Sequence, residues 1–151
     1  MTTLAFQPVT SIQAGELLEA VRRYYAEDGI SFDAARVKPA MAQLLADPAL
    51  GQAFFLSDAA TGARVGYVVW GFGFDYEFGG RLATVTDLFI EPAFRRRGLA
   101  RAALAFAAET CRALGVGTLE LHVENHNVAG RALYESSGFR ALDRTPMLRR
   151  L

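Results

Sequence analysis

The chain has 151 residues, 52% of them hydrophobic, and this length and composition predict one domain over residues 1–151 with a substantial core. Its 16 basic and 16 acidic side chains cancel, which argues against a nucleic acid or an anionic membrane surface as partner. Its single cysteine, Cys111, excludes an internal disulfide, and no apolar run is long enough to span a bilayer. We therefore expect a cytoplasmic protein.

The first third of the chain predicts one strand and two helices. Residues 3–8 favour a short strand, and Thr10 with Gln13 matches a capping box that opens a helix. The helix has one apolar stripe, made of Ala14, Leu17, Leu18, Val21, Tyr24 and Tyr25. In the second helix we expect the regular part to begin near Lys38, because Pro39 is best tolerated in the first turn.

The middle of the chain predicts an antiparallel meander. Residues 52–58, 64–74 and 82–90 are rich in β-branched and aromatic residues, and turn-forming segments separate them. Between residues 98 and 114 the charged side chains form one narrow stripe, which predicts a mostly buried helix that ends at Gly115.

The last part of the chain predicts a strand, a short helix and two further strands. The strand covers residues 117–123, and Asn127 caps a helix that runs through Ser137. Residues 139–142 ("FRAL") and 147–151 ("MLRRL") favour the two final strands. The whole chain is thus predicted as a mixed α/β sheet in the order β-α-α-β-β-β-α-β-α-β-β.

The segment "RRRGLAR" at residues 95–101 lies between a predicted strand and a predicted helix. A helix start carries unpaired backbone N–H groups and the positive end of the helix dipole, and both favour an anion. Gly98 and Ala100 allow a bulky anion to approach the backbone, and arginines donate to phosphate oxygens. A P-loop and a dinucleotide-binding glycine motif are both absent. The segment therefore predicts a diphosphate cradle, with a nucleic-acid patch as the weaker alternative.

Two motifs at the expected separation resemble those of the GNAT superfamily of N-acetyltransferases. The first is R-x-x-G-x-A at Arg95, Gly98 and Ala100, and the second is "ENHNVAGRALYESSGF" at residues 124–139. The resemblance is close over residues 64–139. It implies a GNAT-like acyl-CoA N-acyltransferase fold, acetyl-CoA (coenzyme A) as the co-substrate, direct acetyl transfer to a primary amine, and a homodimer.

The same resemblance implies which residues contact acetyl-CoA. The backbone of Leu88, Phe89 and Ile90 would bind the pantetheine arm, and Asn127 would contact that arm. The diphosphate would lie against the segment made of Arg95, Arg96, Arg97, Gly98, Leu99 and Ala100. Tyr134 would lie beside the thioester sulfur as the general acid, because its phenol is protonated at neutral pH; a packed structural tyrosine is the alternative.

The general base and the acceptor side stay open at this point. Asp87 and Glu77 are the candidate bases, together with a carboxylate-bound water, and Asp87 could equally be a structural carboxylate. In the family, the loop after the first helix and the hairpin before the central strand line the acceptor side. The acidic and aromatic residues of these segments suit a cationic amine, or they are solvated and packed in the core: Tyr24, Tyr25, Glu27, Asp28 and Tyr76.

The acceptor itself could be a polyamine-like or lysine-like small molecule, a protein N-terminus or a protein lysine. We expect no metal site, because His122 and His126 fall on a strand end and a loop without an accompanying ligand motif. The alternative function is a non-catalytic acyl-CoA sensor or interaction module.

Overall fold

The computed structural model describes residues 2–151. They form one five-stranded sheet with helices packed on both faces. The strands are β1 (Leu4–Pro8), β2 (Gly51–Asp58), β3 (Arg64–Asp75), β4 (Gly80–Ile90) and β5 (Thr118–Leu121). The helices are α1 (Ala14–Asp28), α2 (Ala34–Ala46), α3 (Leu99–Ala113) and α4 (Val128–Ser136). The mixed α/β class predicted from the sequence is confirmed.

The sheet has the strand order β1-β2-β3-β4-β5, with three antiparallel pairings followed by a parallel one. The predicted meander of β2, β3 and β4 is therefore confirmed, and α3 is the crossover to the parallel strand β5. The pairing between β4 and β5 covers only Leu82–Val85 and Thr118–Leu121. The second half of β4 consequently has an open edge on the side of β5.

Two hydrophobic layers cover the two faces of the sheet. One layer packs α3 against the sheet around Trp70 and Ala103, and the other packs α1 and α2 around Leu17, Tyr67 and Phe89. Burying a large apolar side chain of this kind stabilises the fold by about 1.5–3 kcal/mol. The two faces therefore differ in their neighbours, and the face covered by α1 and α2 becomes important below.

The start of α1 agrees with the predicted capping box, whereas α2 starts earlier than predicted. The Thr10 N–H donates to Gln13 Oε1 at 3.0 Å, and a 3₁₀ turn over Ser11–Gln13 leads into α1. The predicted start of α2 near Lys38 is wrong, because the helix already begins at Ala34 and contains Pro39 in its interior. The Asp33 side chain caps this earlier start by accepting from the Ala35 N–H at 3.1 Å.

Helix α3 is buried along one face only, so the prediction of a mostly buried helix is wrong in extent. The buried residues are Leu99, Ala103, Leu104, Ala107 and Cys111. Ala102 and Ala105 on the other face are exposed. An exposed alanine costs a helix little stability, because its side chain is a single methyl group. A helix face without polar residues is therefore not necessarily buried.

The two strands predicted at residues 139–142 and 147–151 do not form, and residues 139–151 have no helix or strand. Met147 is 94% exposed and Leu148 is 89% exposed. An apolar alternation stabilises a strand only when one face is buried against a core. Met147 and Leu148 contact no such surface, and Phe139 packs its ring against Tyr134 on α4. The described chain therefore follows the order β-α-α-β-β-β-α-β-α.

Candidate active site

The start of α3 has backbone donors without acceptors. Gly98 (φ +76°) and Arg96 (φ +64°) adopt left-handed conformations, and no side chain caps the helix. Among residues 2–151, the N–H groups of residues 96–101 have no backbone acceptor. The Ala102 N–H is the first to have one, and it donates to the Gly98 carbonyl at 3.1 Å. By contrast, Asp33 caps α2 and Asn127 caps α4. Since a Cβ on Gly98 would meet no atom within 4 Å, open space adjoins these donors.

The arginines of residues 95–97 have different contacts. The Arg95 Nε donates to the Ile90 carbonyl at 2.8 Å, and its Nη1 forms an ion pair with Glu27. The Arg97 Nη2 donates to the Ala93 carbonyl at 2.9 Å. Across residues 2–151, the exposed Arg96 makes no side-chain hydrogen bond or ion pair, so Arg96 is the arginine of this group that is available to an anion.

Of the three β4 residues predicted to contact the cofactor, two present backbone groups at the open edge. The Glu91 N–H donates to the Val65 carbonyl, so the backbone of Glu91 faces β3. Because the N–H and C=O groups of successive strand residues point to alternate edges, those of Leu88 and Ile90 point to the opposite, open edge. The Ile90 carbonyl there accepts from Arg95. The Phe89 carbonyl faces β3, where a Cβ on Gly66 would come within 2.1 Å of it.

A β-bulge at Thr86 sets the direction of the Asp87 side chain. Val69 pairs with Asp87 and the next residue, Trp70, pairs with Val85, so Thr86 is an extra residue in β4. Strict alternation would place Val85 and Asp87 on the same face. The bulge instead leaves Val85 in the layer beneath α3 and turns Asp87 to the face covered by α1 and α2, beside Tyr67.

Asp87 is a buried carboxylate without a cationic partner. It is 9% exposed, and its Oδ2 accepts from the Tyr67 hydroxyl at 3.3 Å. No ion pair in the described part of the chain includes it. Burial raises the pKa of Asp87 to about 6, against the smaller opposing effect of the Tyr67 hydrogen bond. The group can therefore change its protonation state near neutral pH.

Aromatic side chains surround this carboxylate. The ring centroids are 5.6 Å apart for Tyr24 and Tyr25, and 5.7 Å apart for Tyr24 and Phe89. Burial first, and then the charges of Asp28 and Asp87, raise the pKa of Tyr24 above its usual range. We call Tyr24, Tyr25, Asp28, Tyr67 and Asp87 the acceptor cluster.

Tyr67 is the member of the acceptor cluster that the sequence did not reveal. It lies in a continuous apolar run of β3, where an aromatic residue is typical of the core. A phenol in such a run does require a partner when it is buried, and the carboxylate of Asp87 supplies it. The need of a buried phenol for a hydrogen-bond partner is therefore the feature by which the sequence could have indicated Tyr67.

Tyr134 lies half-buried on α4, close enough to the acceptor cluster for the charge of Asp28 to affect its phenol. Burial, followed by the charge of Asp28, raises the pKa of Tyr134, so its phenol is protonated at neutral pH. At the start of the same helix the Asn127 Oδ1 accepts from the Gly130 N–H at 2.8 Å. A Cβ on Gly130 would approach the Asn127 side chain to 2.5 Å, so a glycine is needed for this cap.

The structure does not bring Glu77 and Tyr76 to the acceptor cluster. Both lie in the 3₁₀ turn Tyr76–Phe78 between β3 and β4, and Tyr76 is 89% exposed. Arg144 binds both carboxylate oxygens of Glu77, with Nη1 to Oε2 at 2.9 Å, and this contact lowers the pKa of Glu77. The seven-residue rise from Gly80 to Asp87 separates the turn from Asp87 by roughly 20 Å.

Two further observations bear on the kind of site. Among residues 2–151, no group of three or more His, Cys, Asp or Glu side chains is placed to hold a metal ion. Over the same residues, no helix combines the length and the apolar character that crossing a membrane requires.

The sequence profile of the Acetyltransferase (GNAT) family matches residues 15–139. The [ribosomal protein bS18]-alanine N-acetyltransferase of Escherichia coli K12 is 42% identical over 57 residues, which are 38% of this chain and 38% of that enzyme. The matched segments cover less than two fifths of the length of the curated relatives.

Solved structures share the fold over nearly the whole chain. An integron cassette protein from the mobile metagenome of Cole Harbour Salt Marsh superposes with a TM-score of 0.81 at 27% identity, over 97% of this chain and 90% of that one. The aminoglycoside N-acetyltransferase AAC(6')-Iy, solved with CoA, gives 0.81 at 14% identity, over 99% and 96% of the two chains.

The fold and the profile match define the class of protein: the chain belongs to the GNAT acetyltransferase family. Enzymes of this family use acetyl-CoA.

Proposed function

We propose that this chain transfers the acetyl group of acetyl-CoA to a primary amine that reaches the acceptor cluster as a cation. The observation that carries the proposal is Asp87, a buried carboxylate without a cationic partner among the described residues, beside the open edge of β4. Burying a charge without a partner is costly, so such a group is retained where it has a chemical task.

The residues around α3 fit the diphosphate of acetyl-CoA. Its N-terminus presents unpaired N–H groups next to open space, and the exposed Arg96 adds a cation. In this proposal the amides of residues 96–100 bind the diphosphate, while the Leu88 backbone groups and the Ile90 N–H bind the pantetheine arm at the open edge. Asn127 contacts the same arm. When bound, acetyl-CoA supplies an acetyl thioester whose carbonyl carbon is open to attack and whose sulfur can leave.

Asp87 is assigned the role of general base. A primary amine arrives as an ammonium ion and must lose a proton before its nitrogen can form the new bond to carbon. With a pKa of about 6, Asp87 is ionised at neutral pH and can accept that proton. Glu77 is less suited, because Arg144 occupies both of its oxygens and lowers its pKa.

Tyr134 is assigned the role of general acid. Its raised pKa keeps the phenol protonated, so it holds a proton that can pass to the departing thiolate as the carbon–sulfur bond breaks. The nitrogen gives up a second proton to solvent as the amide forms. Of the two protons that the ammonium ion loses, one therefore leaves through Asp87 to solvent, and the other replaces the proton that Tyr134 gives to the thiolate and regains from solvent, which balances the reaction.

The acceptor-binding residues in this proposal are Tyr25 and Asp28, with Tyr24 and Tyr67 beside them. Carboxylates and aromatic faces favour a cationic amine. Glu27 is left out because it is paired with Arg95, and Tyr76 is left out because it lies in the distant turn. The names of the relatives support amine acceptors, since they include a ribosomal-protein alanine and aminoglycosides.

The proposal also includes a cytoplasmic location and a homodimer. The exposed apolar side chains of the C-terminal segment, Met147 and Leu148, offer surface that a second copy would cover. Analytical ultracentrifugation of the full chain tests the dimer.

The decisive experiment for the function is an amine screen with acetyl-CoA, read out as release of free coenzyme A thiol. The panel contains diamines and polyamines, lysine derivatives, aminoglycosides and peptides with free N-termini. We expect thiol release with one class and a rate lowered about 100-fold in Tyr134→Phe, while Tyr76→Phe behaves like the parent. A parent chain that binds acetyl-CoA and releases no thiol with any amine would favour the acyl-CoA sensor instead.

A further inference from the structure

Arg101 joins the two helices on which the proposed reaction depends. It lies in the first turn of α3, next to the uncapped N-terminus, and reaches the last turn of α4. Its Nη1 donates to the Ser136 carbonyl at 2.8 Å and its Nη2 donates to the Ser136 Oγ at 2.7 Å. The guanidinium thus engages one residue through two hydrogen bonds.

The placement of this cation is favourable for α4 and unfavourable for α3. A positive charge in the first turn of a helix opposes the helix dipole, whereas a positive charge beside the last turn complements it. The last carbonyls of a helix also lack intrahelical donors, and Ser136 contributes one of them. Arg101 therefore acts as a C-terminal cap for α4, supplied by another helix.

Helix α4 has few other means of holding its position. It has nine residues, and none of them is fully buried, although Tyr134 is half-buried. Helices this short are marginal on their own and depend on tertiary contacts. The Ser136 Oγ also donates to the Leu133 carbonyl at 2.9 Å, so the residue that Arg101 engages is itself fixed within the last turn.

Tyr134 lies in that same turn, two residues before Ser136. We propose that Arg101 is a positioning residue, which fixes the last turn of α4, and with it the Tyr134 hydroxyl, relative to the start of α3. The inference rests on the proposed function, in which the start of α3 binds the diphosphate and Tyr134 protonates the thiolate. The distance between the thioester and its acid is then set by one side chain that touches neither.

The test compares Arg101→Gln with the parent chain in steady-state kinetics and in amide hydrogen exchange. We expect kcat to fall about tenfold, since a small misplacement of an acid is costly, while KM for acetyl-CoA stays within about twofold. Exchange should accelerate in residues 128–136 and stay unchanged in β3 and β4. Arg101→Lys, which keeps the charge and one donor direction, should recover part of kcat.

Arg112→Gln is the matched control, because it removes an exposed arginine from the last turn of the same helix. A rise in KM for acetyl-CoA with kcat unchanged would make Arg101 a cofactor ligand and overturn the inference. Faster exchange throughout the chain would show a general structural role and would overturn it as well, and so would an Arg101→Gln variant that matches the parent.

Failure of the proposed function gives a different pattern. If Tyr134→Phe keeps the parent rate, Tyr134 is not the acid, whatever Arg101 does. The exchange of residues 128–136 still decides whether Arg101 holds α4, because that measurement needs neither acetyl-CoA nor turnover.

Discussion

The start of α3 and the acceptor cluster are built in opposite ways. The first uses backbone N–H groups of consecutive residues and is exposed, and the second uses buried side chains from α1, β3 and β4. Backbone donors recognise a phosphate whatever side chains they carry, provided that the main chain can adopt the shape. Buried side chains instead set a pKa and select a partner. In the proposed function, the first region accordingly provides affinity for acetyl-CoA and the second provides the acceptor chemistry.

The sharpest way to break this contrast is Gly98→Val. A β-branched residue is strained at a φ of +76°, and its side chain would enter the open space beside the amides. We expect acetyl-CoA affinity to fall at least about 100-fold in isothermal titration calorimetry, with the acceptor cluster unchanged.

Gly62→Val is the matched control for this variant. Gly62 lies in the turn between β2 and β3 with a φ of +73°, and a Cβ there also meets no atom within 4 Å. The two variants therefore share the backbone strain and differ in location. Equal loss of acetyl-CoA affinity in both would contradict the assignment of the diphosphate to the start of α3.

The next largest effect is expected from Asp87→Asn. Asparagine keeps the shape and an oxygen for Tyr67 but cannot take a proton, so kcat should fall about 100-fold or more. In the parent chain, kcat/KM should decline below pH 6, because protonated Asp87 is no longer a base. A pH–rate profile of Asp87→Asn that retained this acidic limb would exclude Asp87 as the base.

The same substitution should stabilise the fold at neutral pH. The pKa of Asp87 is raised by burial, so the folded state binds the proton more tightly than the unfolded state, and stability falls as pH rises from about 4 to about 6. The ionised carboxylate then costs up to about 3 kcal/mol. Asp87→Asn should accordingly be more stable than the parent by about 1–2 kcal/mol at pH 7 in urea unfolding, with no gain at pH 4.

The smallest effect is expected from Arg96→Gln. Because Arg96 is exposed and the backbone supplies the other donors, acetyl-CoA affinity should fall only about fivefold at low salt and less at high salt. Arg97→Gln is the control, since the Arg97 guanidinium donates to the Ala93 carbonyl. An Arg97→Gln variant that binds as weakly as Arg96→Gln would show that the arginines act together.

Local sequence was sufficient for the start of α3 and for most elements. The strand, the arginines, Gly98 and the helix are consecutive, so their order alone predicted unpaired donors at a helix N-terminus. The meander and the capped starts of α1 and α4 depend on residues a few positions apart, which a sequence pattern also contains.

The features that the sequence did not reveal depend on distant contacts. Arg95 and Glu27 were predicted to serve different ligands, yet they pair with each other. Arg144 engages Glu77 from 67 positions away, and no periodic pattern reports such a contact. The final strands failed for a related reason, since their apolar alternation needs a neighbouring surface. Asn127 and Tyr134 remain predictions from the motif.

The bulge at Thr86 makes register, and not residue identity, the feature on which the chemistry depends. The Thr86 side chain takes no part in the proposed reaction, and other residues could occupy the position. Deleting Thr86 would make Val85 and Asp87 consecutive, so simple alternation would still place them on opposite faces of the sheet. Drawing Thr86 into the ladder as a regularly paired residue would instead put Val85 and Asp87 on one face and turn Asp87 toward α3, away from Tyr67. The direction of the proposed base therefore depends on one residue staying outside the regular pairing of β3 and β4, and not on which residue that is.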